Sequence, residues 1–428
     1  MPATFYGYVR RRSAAKLTIL LCGTLLAAIL APSTAAAHDN LAQLQADFSH
    51  QLALAGSQDG AYVYDLTTKQ TLFSERASVM RPPASVEKLY TATAALQELG
   101  ANTHLDTTVY GVGHMAPGGV WEGSLYLRGG GDPTFGTTAF IHSHYGGVGA
   151  SVSTLVTQLV KTDGIHHVTG SIDGDESYFD SLRGEPSSDY LQDPFLEGTL
   201  SGLAFNRGET GSARGPHAPA AFAAKALWGA LKADGVSIRG VSGAATTPAG
   251  ATQLAQVPSP TVAQLLGLML PPSDNFFAEM LVKDLGARFG GAGTTAAGAA
   301  VVTRTISSLL GIHPHVVDGS GLSEEDKTSP YQVADLLSEL APTPIGQVLR
   351  EHMAIAGQSG TLELRMRGSG AYGRCQGKTG TLTGVSNLVG YCNAADGNTL
   401  VFAIFTDGIP TETAHTFQDN MAITVADY

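Results

Sequence analysis

The sequence predicts a mixed α/β (α+β) fold, with an antiparallel sheet flanked by helices and more than one domain. Three observations carry this. Ala61 to Leu66 alternates like a strand, Thr67 to Gln70 turns, and Thr71-Leu72-Phe73 starts a returning strand. Residues 378–382, 387–391 and 400–405 read as further strands, and a closing helix is expected from Ala414. The chain has 428 residues, too many for one ordinary core, with 43% hydrophobic and 14% charged residues, as in a globular protein.

The first stretch, residues 1–37, is expected to be a secretory signal. Arg10, Arg11, Arg12 and Lys16 form a charged start, and Leu17 to Leu30 is apolar but short for a membrane span. Ala35-Ala36-Ala37 then offers a small-residue cleavage site. A retained anchor is the alternative. Cys22 follows Leu21, where lipidation would want a small residue, and the apolar residues expected just after Arg11-Arg12 in a twin-arginine signal are missing. Cleavage removes four basic residues and no acid, taking the net charge from −12 to about −16. That balance argues against nucleic acid and anionic membrane surfaces as partners, and no stable membrane insertion is expected after cleavage. Cys375 and Cys392 remain, destined for an oxidising compartment, the periplasm or cell wall.

Leu41 to Leu54 has helical spacing. Pro82-Pro83-Ala84 then halts any upstream helix, and Ser85-Val86-Glu87-Lys88 leads into a helix from Leu89 to Leu99. After Asp106 the character changes. Short strands are expected at 107–110, 124–127 and 167–172, and helices at 151–160 and 220–233. The acids from Asp173 to Asp180 do not match a calcium loop and read as a solvated turn. His142/His144 and His313/His315 lack a third ligand, so no metal is expected and surface loops fit them better. Helices follow at 261–270, 276–285 and 330–341, with a loop at 317–323.

The chemistry centres on Ser85 and Lys88. One helical turn apart, a serine hydroxyl and a lysine amine can form a nucleophile with its own base, if burial or a second cation lowers the lysine pKa. Alone, the pair fits a capping serine and a solvated lysine far better. Ser273-Asp274-Asn275 and Lys378-Thr379-Gly380 change that. The three motifs occur in the order found in penicillin-binding proteins and class A β-lactamases.

The wider chain resembles the peptidase S13 family of low-molecular-mass penicillin-binding proteins, D-alanyl-D-alanine carboxypeptidases that also act as endopeptidases. The likeness covers nearly all of the mature chain. It includes Leu125-Tyr126-Leu127 with Gly131-Asp132-Pro133-Thr134, Gly174 to Phe179, Asp318 to Ser323, Gly360-Thr361-Leu362 and Lys378 to Tyr391. The resemblance implies a penicillin-binding-protein/β-lactamase-like transpeptidase domain over 38–105 and 262–428, split by an inserted domain over 106–261. A further small domain usually follows a segment like Leu203 to Asn206 and looks absent here. The resemblance also implies roles without any cofactor. Ser85 attacks, Lys88 is the base, and Ser273 relays a proton with Lys378 nearby. Asn275 orients substrate and Lys88, and Lys378, Thr379, Gly380 and Thr381 receive the terminal carboxylate. The backbone N–H groups of Ser85 and Thr381 form the oxyanion hole. The implied partners are peptidoglycan stem peptides and, as covalent inhibitors, β-lactams. Two rivals stand beside this: a serine β-lactamase, although no Glu-x-x-x-Asn loop follows Asn275, and a wall-binding protein without turnover.

Two finer expectations follow. If Thr383-Gly384 is a two-residue hairpin loop, Cys375 lies opposite Cys392, within reach of a disulfide. Many family members carry an arginine just after the Gly-Leu-Ser of Asp318 to Ser323, implied to meet the side-chain carboxylate of diaminopimelate. Here Glu324 stands there. Either it faces the site and disfavours that carboxylate, or it is solvated and Arg365 or Arg367 takes the role.

Overall fold

The structure, a computed structural model, describes residues 34–209 and 218–428. The chain divides into two units, Met1–Asp39 and Asn40–Tyr428, and apart from the first residues of the opening helix the second carries everything below. Most of the expected signal segment, through residue 33, lies outside the described residues. Among the described residues, no helix is long and apolar enough to cross a membrane.

The chain opens with α1 (Thr34–Ala55), β1 (Gly60–Asp65), β2 (Gln70–Glu75) and α2 (Lys88–Glu98). It continues through β3 (Thr107–Ala116), β4 (Val120–Arg128), α3 (Thr138–Tyr145), α4 (Val152–Thr157), β5 (His167–Val168), β6 (Ile172–Asp175), α5 (Pro219–Ala233), β7 (Ser237–Ile238), β8 (Ser242–Ala244) and β9 (Thr252–Val257). Five helices come next: α6 (Val262–Met269), α7 (Asn275–Leu285), α8 (Thr295–Leu310), α9 (Pro330–Leu340) and α10 (Pro344–Glu351). The last elements are β10 (Ala354–Ile355), β11 (Cys375–Leu382), β12 (Val385–Asn393), β13 (Thr399–Asp407) and α11 (Thr411–Asp427).

One sheet has six antiparallel strands in the order β10-β11-β12-β13-β1-β2. Its centre is buried on both faces, which explains the unbroken apolar run at 400–405. Val401, Ala403 and Phe405 pack with α2 and the helices α6 to α9. Leu400, Phe402 and Ile404 face the opposite way, against Phe48 of α1 and Met421 and Val425 of α11. A second sheet takes all seven strands from residues 107–257 and encloses its own core with α4 and α5.

The Thr383-Gly384 turn has the expected length, since Leu382 pairs with Val385 and Cys375 with Cys392. The two cysteines form a disulfide. Gly384 alone of the turn pair has a left-handed φ, 73°.

Several local expectations need correction. The single strand expected over 167–172 is two, β5 and β6, separated where Gly170 donates to the Gly123 carbonyl. The acids after Ile172 are not a solvated turn: Asp173 and Asp175 lie in β6. Asp175 is buried and accepts from the Ser177 and Thr247 N–H groups, which hold its carboxyl below the usual range against burial. Asp180 pairs with the buried Lys283 at 2.6 Å. His142 and His144 sit on α3, not in a loop.

Candidate active site

Ser85 lies at a helix start, as the sequence suggested: it sits on a 3₁₀ turn, Ala84–Glu87, that runs directly into α2 at Lys88. The turn is held from outside. The Asn387 amide on β12 donates to the carbonyls of Pro82 (3.0 Å) and Pro83 (2.8 Å). Ala84 adopts a φ of 48°, a costly conformation for a residue with a Cβ. Two glycines permit the close packing that holds it there. A Cβ on Gly321 would lie 1.9 Å from the Ala84 carbonyl oxygen, and one on Gly380 would lie 2.4 Å from that of Pro83. Gly380 therefore brings β11 against the nucleophile turn.

Lys88 is fully buried. Its Nζ lies 2.8 Å from Ser85 Oγ, 2.6 Å from Asn275 Oδ1 and 2.7 Å from the Ser320 carbonyl oxygen. Three oxygens match the three N–H bonds of the ammonium; when Lys88 is neutral, two N–H bonds still donate to the Asn275 and Ser320 oxygens and the lone pair can accept from the Ser85 hydroxyl. Burial pushes the Lys88 pKa down to about 8, against the pull of Asp318, Asp274, Glu279 and Glu87. Lys378 is equally buried, and its Nζ donates to Ser273 Oγ at 2.8 Å and to the Thr379 carbonyl at 2.7 Å. Desolvation and the nearby Lys88 charge push its pKa well down. Thr379 Oγ1 bonds Thr361 Oγ1 at 2.8 Å, and Thr381 is exposed on the same strand.

The structure thus brings two hydrogen-bonded groups together, Ser85–Lys88–Asn275 and Ser273–Lys378, close enough for the two lysine charges to interact, with Thr379, Gly380 and Thr381 along the β11 wall. The Asn275 amide nitrogen donates to the Phe195 carbonyl at 2.7 Å.

Sequence reasoning missed a layer of buried acids beneath these residues. Glu279 Oε1 accepts from the N–H groups of Gly319 and Ser320, both at 2.9 Å. Asp318 accepts from Ser320, Gly321 and Ser323 N–H. Asp326 accepts from Val317 N–H at 2.6 Å. Together they shape the loop that offers the Ser320 carbonyl to Lys88. Glu87 lies in the same layer, and burial raises its pKa well above the ordinary carboxyl value. A signal existed: Glu279 stands four residues after Asn275, on the same face of a helix that is otherwise apolar for most of its length.

Comparison with known proteins now separates a shared constellation from a shared family. The sequence profile of the D-Ala-D-Ala carboxypeptidase 3 (S13) family matches residues 39–195 and 195–428. The chain belongs to this family. It is accordingly a serine-type hydrolase of the S13 carboxypeptidases. The D-alanyl-D-alanine carboxypeptidase of Actinomadura sp. (strain R39) is 31% identical over 98% of this chain and 91% of that protein. Carboxypeptidase DacB of Mycolicibacterium smegmatis is 28% identical over 81% of this chain and 75% of its own length. The fold matches the crystal structure of penicillin binding protein 4 from Haemophilus influenzae with a TM-score of 0.73 at 19% identity, covering 88% of this chain and 97% of that one.

Proposed function

We propose that this S13 protein cleaves the terminal D-alanyl-D-alanine bond of peptidoglycan stem peptides through an acyl-enzyme on Ser85, and that β-lactams acylate the same serine. The observation that carries this reading is the bonding of Lys88 Nζ, buried and with its pKa lowered to about 8, to Ser85 Oγ. Ser85 Oγ attacks the carbonyl of the penultimate D-alanine while its proton passes to Lys88 Nζ. The backbone N–H groups of Ser85 and Thr381 stabilise the oxyanion. The Ser273 hydroxyl, bonded to Lys378, delivers a proton to the leaving amine as the C–N bond breaks. The proton held by Lys88 is passed on to Ser273, leaving Lys88 neutral; water then attacks the ester, gives a proton to Lys88, and Lys88 returns it to Ser85 Oγ as the ester C–O bond breaks. Lys378, Thr379 and Thr381 bind the terminal carboxylate, Gly380 lets their strand approach, and Asn275 binds the substrate backbone.

In this reading residues 38–105 and 262–428 form the catalytic domain and 106–261 an inserted one. The separate sheet and core of 107–257 support that division. Residues 1–37 direct export to the periplasm or wall, and the Cys375–Cys392 disulfide supports an oxidising compartment. Carboxypeptidase and endopeptidase action are told apart by digesting sacculi and identifying the released muropeptides by mass.

The deciding experiment is penicillin treatment followed by peptide mass analysis. One drug mass should appear on the peptide carrying Ser85 and vanish in Ser85→Ala. Labelling that persists in that variant refutes the assignment. Rapid benzylpenicillin turnover would favour the β-lactamase rival, and no labelling at all the non-catalytic wall binder.

A further inference from the structure

Arg207 sits outside the three motifs, on a short turn that follows Phe205. Its position is enforced: Asn206 and Arg207 both have left-handed φ values, 49° and 53°, without being glycine. The Asn206 side chain is fixed in turn, since its Oδ1 accepts from Thr137 N–H at 2.8 Å. The Arg207 side chain is 8% exposed. Its guanidinium meets both oxygens of Asp274, through Nη1 and, at 3.2 Å, through Nη2. Nε donates to the Glu197 carbonyl at 2.8 Å, and the guanidinium carbon lies 4.9 Å from the Phe276 ring centre. A two-pronged, stacked arginine of this kind holds its partner in one orientation, which a lysine cannot reproduce.

Asp274 is the centre of the second motif. Its Oδ1 caps α7 by accepting from Phe277 N–H at 3.0 Å, so clamping the carboxylate fixes the start of that helix. Ser273, just before it, has a φ of 66° and bonds Lys378. Asn275, just after it, bonds Lys88. Both side chains thus hang on the residue that Arg207 grips. The same guanidinium ties down Glu197, two residues after the Phe195 carbonyl that accepts from Asn275.

We propose that Arg207 is a positioning residue for the reaction: by clamping Asp274 and the 195–197 turn it sets the places of Ser273 and Asn275. This rests on the roles given to those two residues above. The clamp also affects the base. Lys88 is faced by the carboxyl groups of Asp274, Glu87, Glu279 and Asp318 and by the Lys378 amine. Arg207 offsets the Asp274 charge that favours protonated Lys88. Loss of the arginine therefore moves the acidic limb of the rate profile to higher pH, and loss of the Asp274 charge moves it lower.

The test measures the rate of acylation by benzylpenicillin against pH for Arg207→Lys, Asp274→Asn and the double variant Arg207→Gln/Asp274→Asn, with Ser273→Ala as reference and thermal midpoints throughout. Arg207→Lys should acylate about 10- to 100-fold more slowly at little change in midpoint, the size expected when reacting groups are misplaced by about an ångström. Asp274→Asn should slow acylation and shift the acidic limb to lower pH. Should Arg207→Lys fail to fold, the other two variants, which bury no unpaired carboxylate at 274, decide the matter. Wild-type acylation rates and an unmoved limb in any folded variant overturn the proposal. A wild-type rate in Ser273→Ala would instead overturn the site assignment on which it stands.

Discussion

Replacing Glu279 tests whether the buried acids are neutral scaffolding or working charges. Burial, and the Asp318 carboxylate beside it, push the Glu279 pKa up to about 8, so the side chain is protonated at neutral pH. Glu279→Gln then keeps shape, charge and the oxygen that accepts from Gly319 and Ser320. It should cost no more than ~0.5 kcal/mol at pH 5 and leave acylation near normal. Glu279→Ala strands the Gly319 N–H, worth about 1–3 kcal/mol, and leaves a void worth about 1 kcal/mol more. Ser320 N–H keeps its bond to Asp318 at 3.0 Å. The alanine variant should therefore lose about 2–4 kcal/mol, and with its Ser320 carbonyl displaced from Lys88 it should acylate at least about tenfold more slowly. The pH sign follows from linkage. A carboxyl whose folded pKa is raised from 4.5 to about 8 contributes stability that is present below pH 4.5 and lost as pH rises through 8. Glutamine does not titrate, so Glu279→Gln should gain on wild type by up to ~1.4 kcal/mol per pH unit across that window. Urea unfolding at pH 5 and pH 8 measures both effects. A glutamine variant as damaged as the alanine one, or a gap from wild type that does not grow with pH, refutes the reasoning.

Other outcomes follow from the same geometry. Because Lys88 accepts a proton only when neutral and its pKa lies near 8, kcat/KM for a D-alanyl-D-alanine peptide should rise through about pH 8; a limb centred near the ordinary 10.5 contradicts this. Lys88→Ala should slow penicillin acylation about 10²–10⁴-fold in stopped-flow measurements. Cys375→Ser/Cys392→Ser should lose about 3 kcal/mol in urea unfolding, as expected for a loop closed across a separation of 17 residues, and the unreduced, denatured wild type should show no free thiol at these positions. Glu324 is exposed beside a cavity of about 490 Å³ lined also by Pro186, Ser187, Leu322, Ser323 and Glu325. Arg365 is committed elsewhere, to Asp419 at 2.7 Å, and the exposed Arg367 pairs with Glu363. Glu324→Arg should therefore shift the kcat/KM ratio from stem peptides with amidated diaminopimelate towards those with the free acid; an unchanged ratio removes Glu324 from selection.

The parts of this molecule that were legible in the sequence are those where local chemistry and tertiary context agree. The alternation at 61–66, the helix expected over 261–270 and the two-residue loop at Thr383-Gly384 each predict their own geometry. Period-two burial on both faces hid nothing at 400–405, because a run of six apolar residues reads as a buried strand. The misses have a common cause. The helix start at Ser85 was legible, but the close approach of Gly321 and Gly380 to its turn comes from distant segments, and no local pattern encodes it. Asp175 reads as part of a solvated turn and Glu279 as one residue of an apolar helix, yet backbone N–H groups from other segments, Thr247 for the first and Gly319 and Ser320 for the second, make each a buried acceptor. Arg207 was invisible for the same reason: its meaning is Asp274, 67 residues away.

The span of these connections has a consequence for when the protein acquires activity. Lys88 bonds to partners 187 and 232 residues further along the chain, and Lys378 meets Ser273 across 105. The inner strand β1, near the start of the described fold, pairs with β13, the last strand to be made. A chain emerging in order from one end therefore carries a Ser85 that is an ordinary alcohol until almost all of it has arrived. Such non-local closure folds slowly. It also means that chemistry begins late and all at once: a partly synthesised or clipped chain lacks the Lys88 and Lys378 partners, and the first molecule of penicillin bound marks a finished fold.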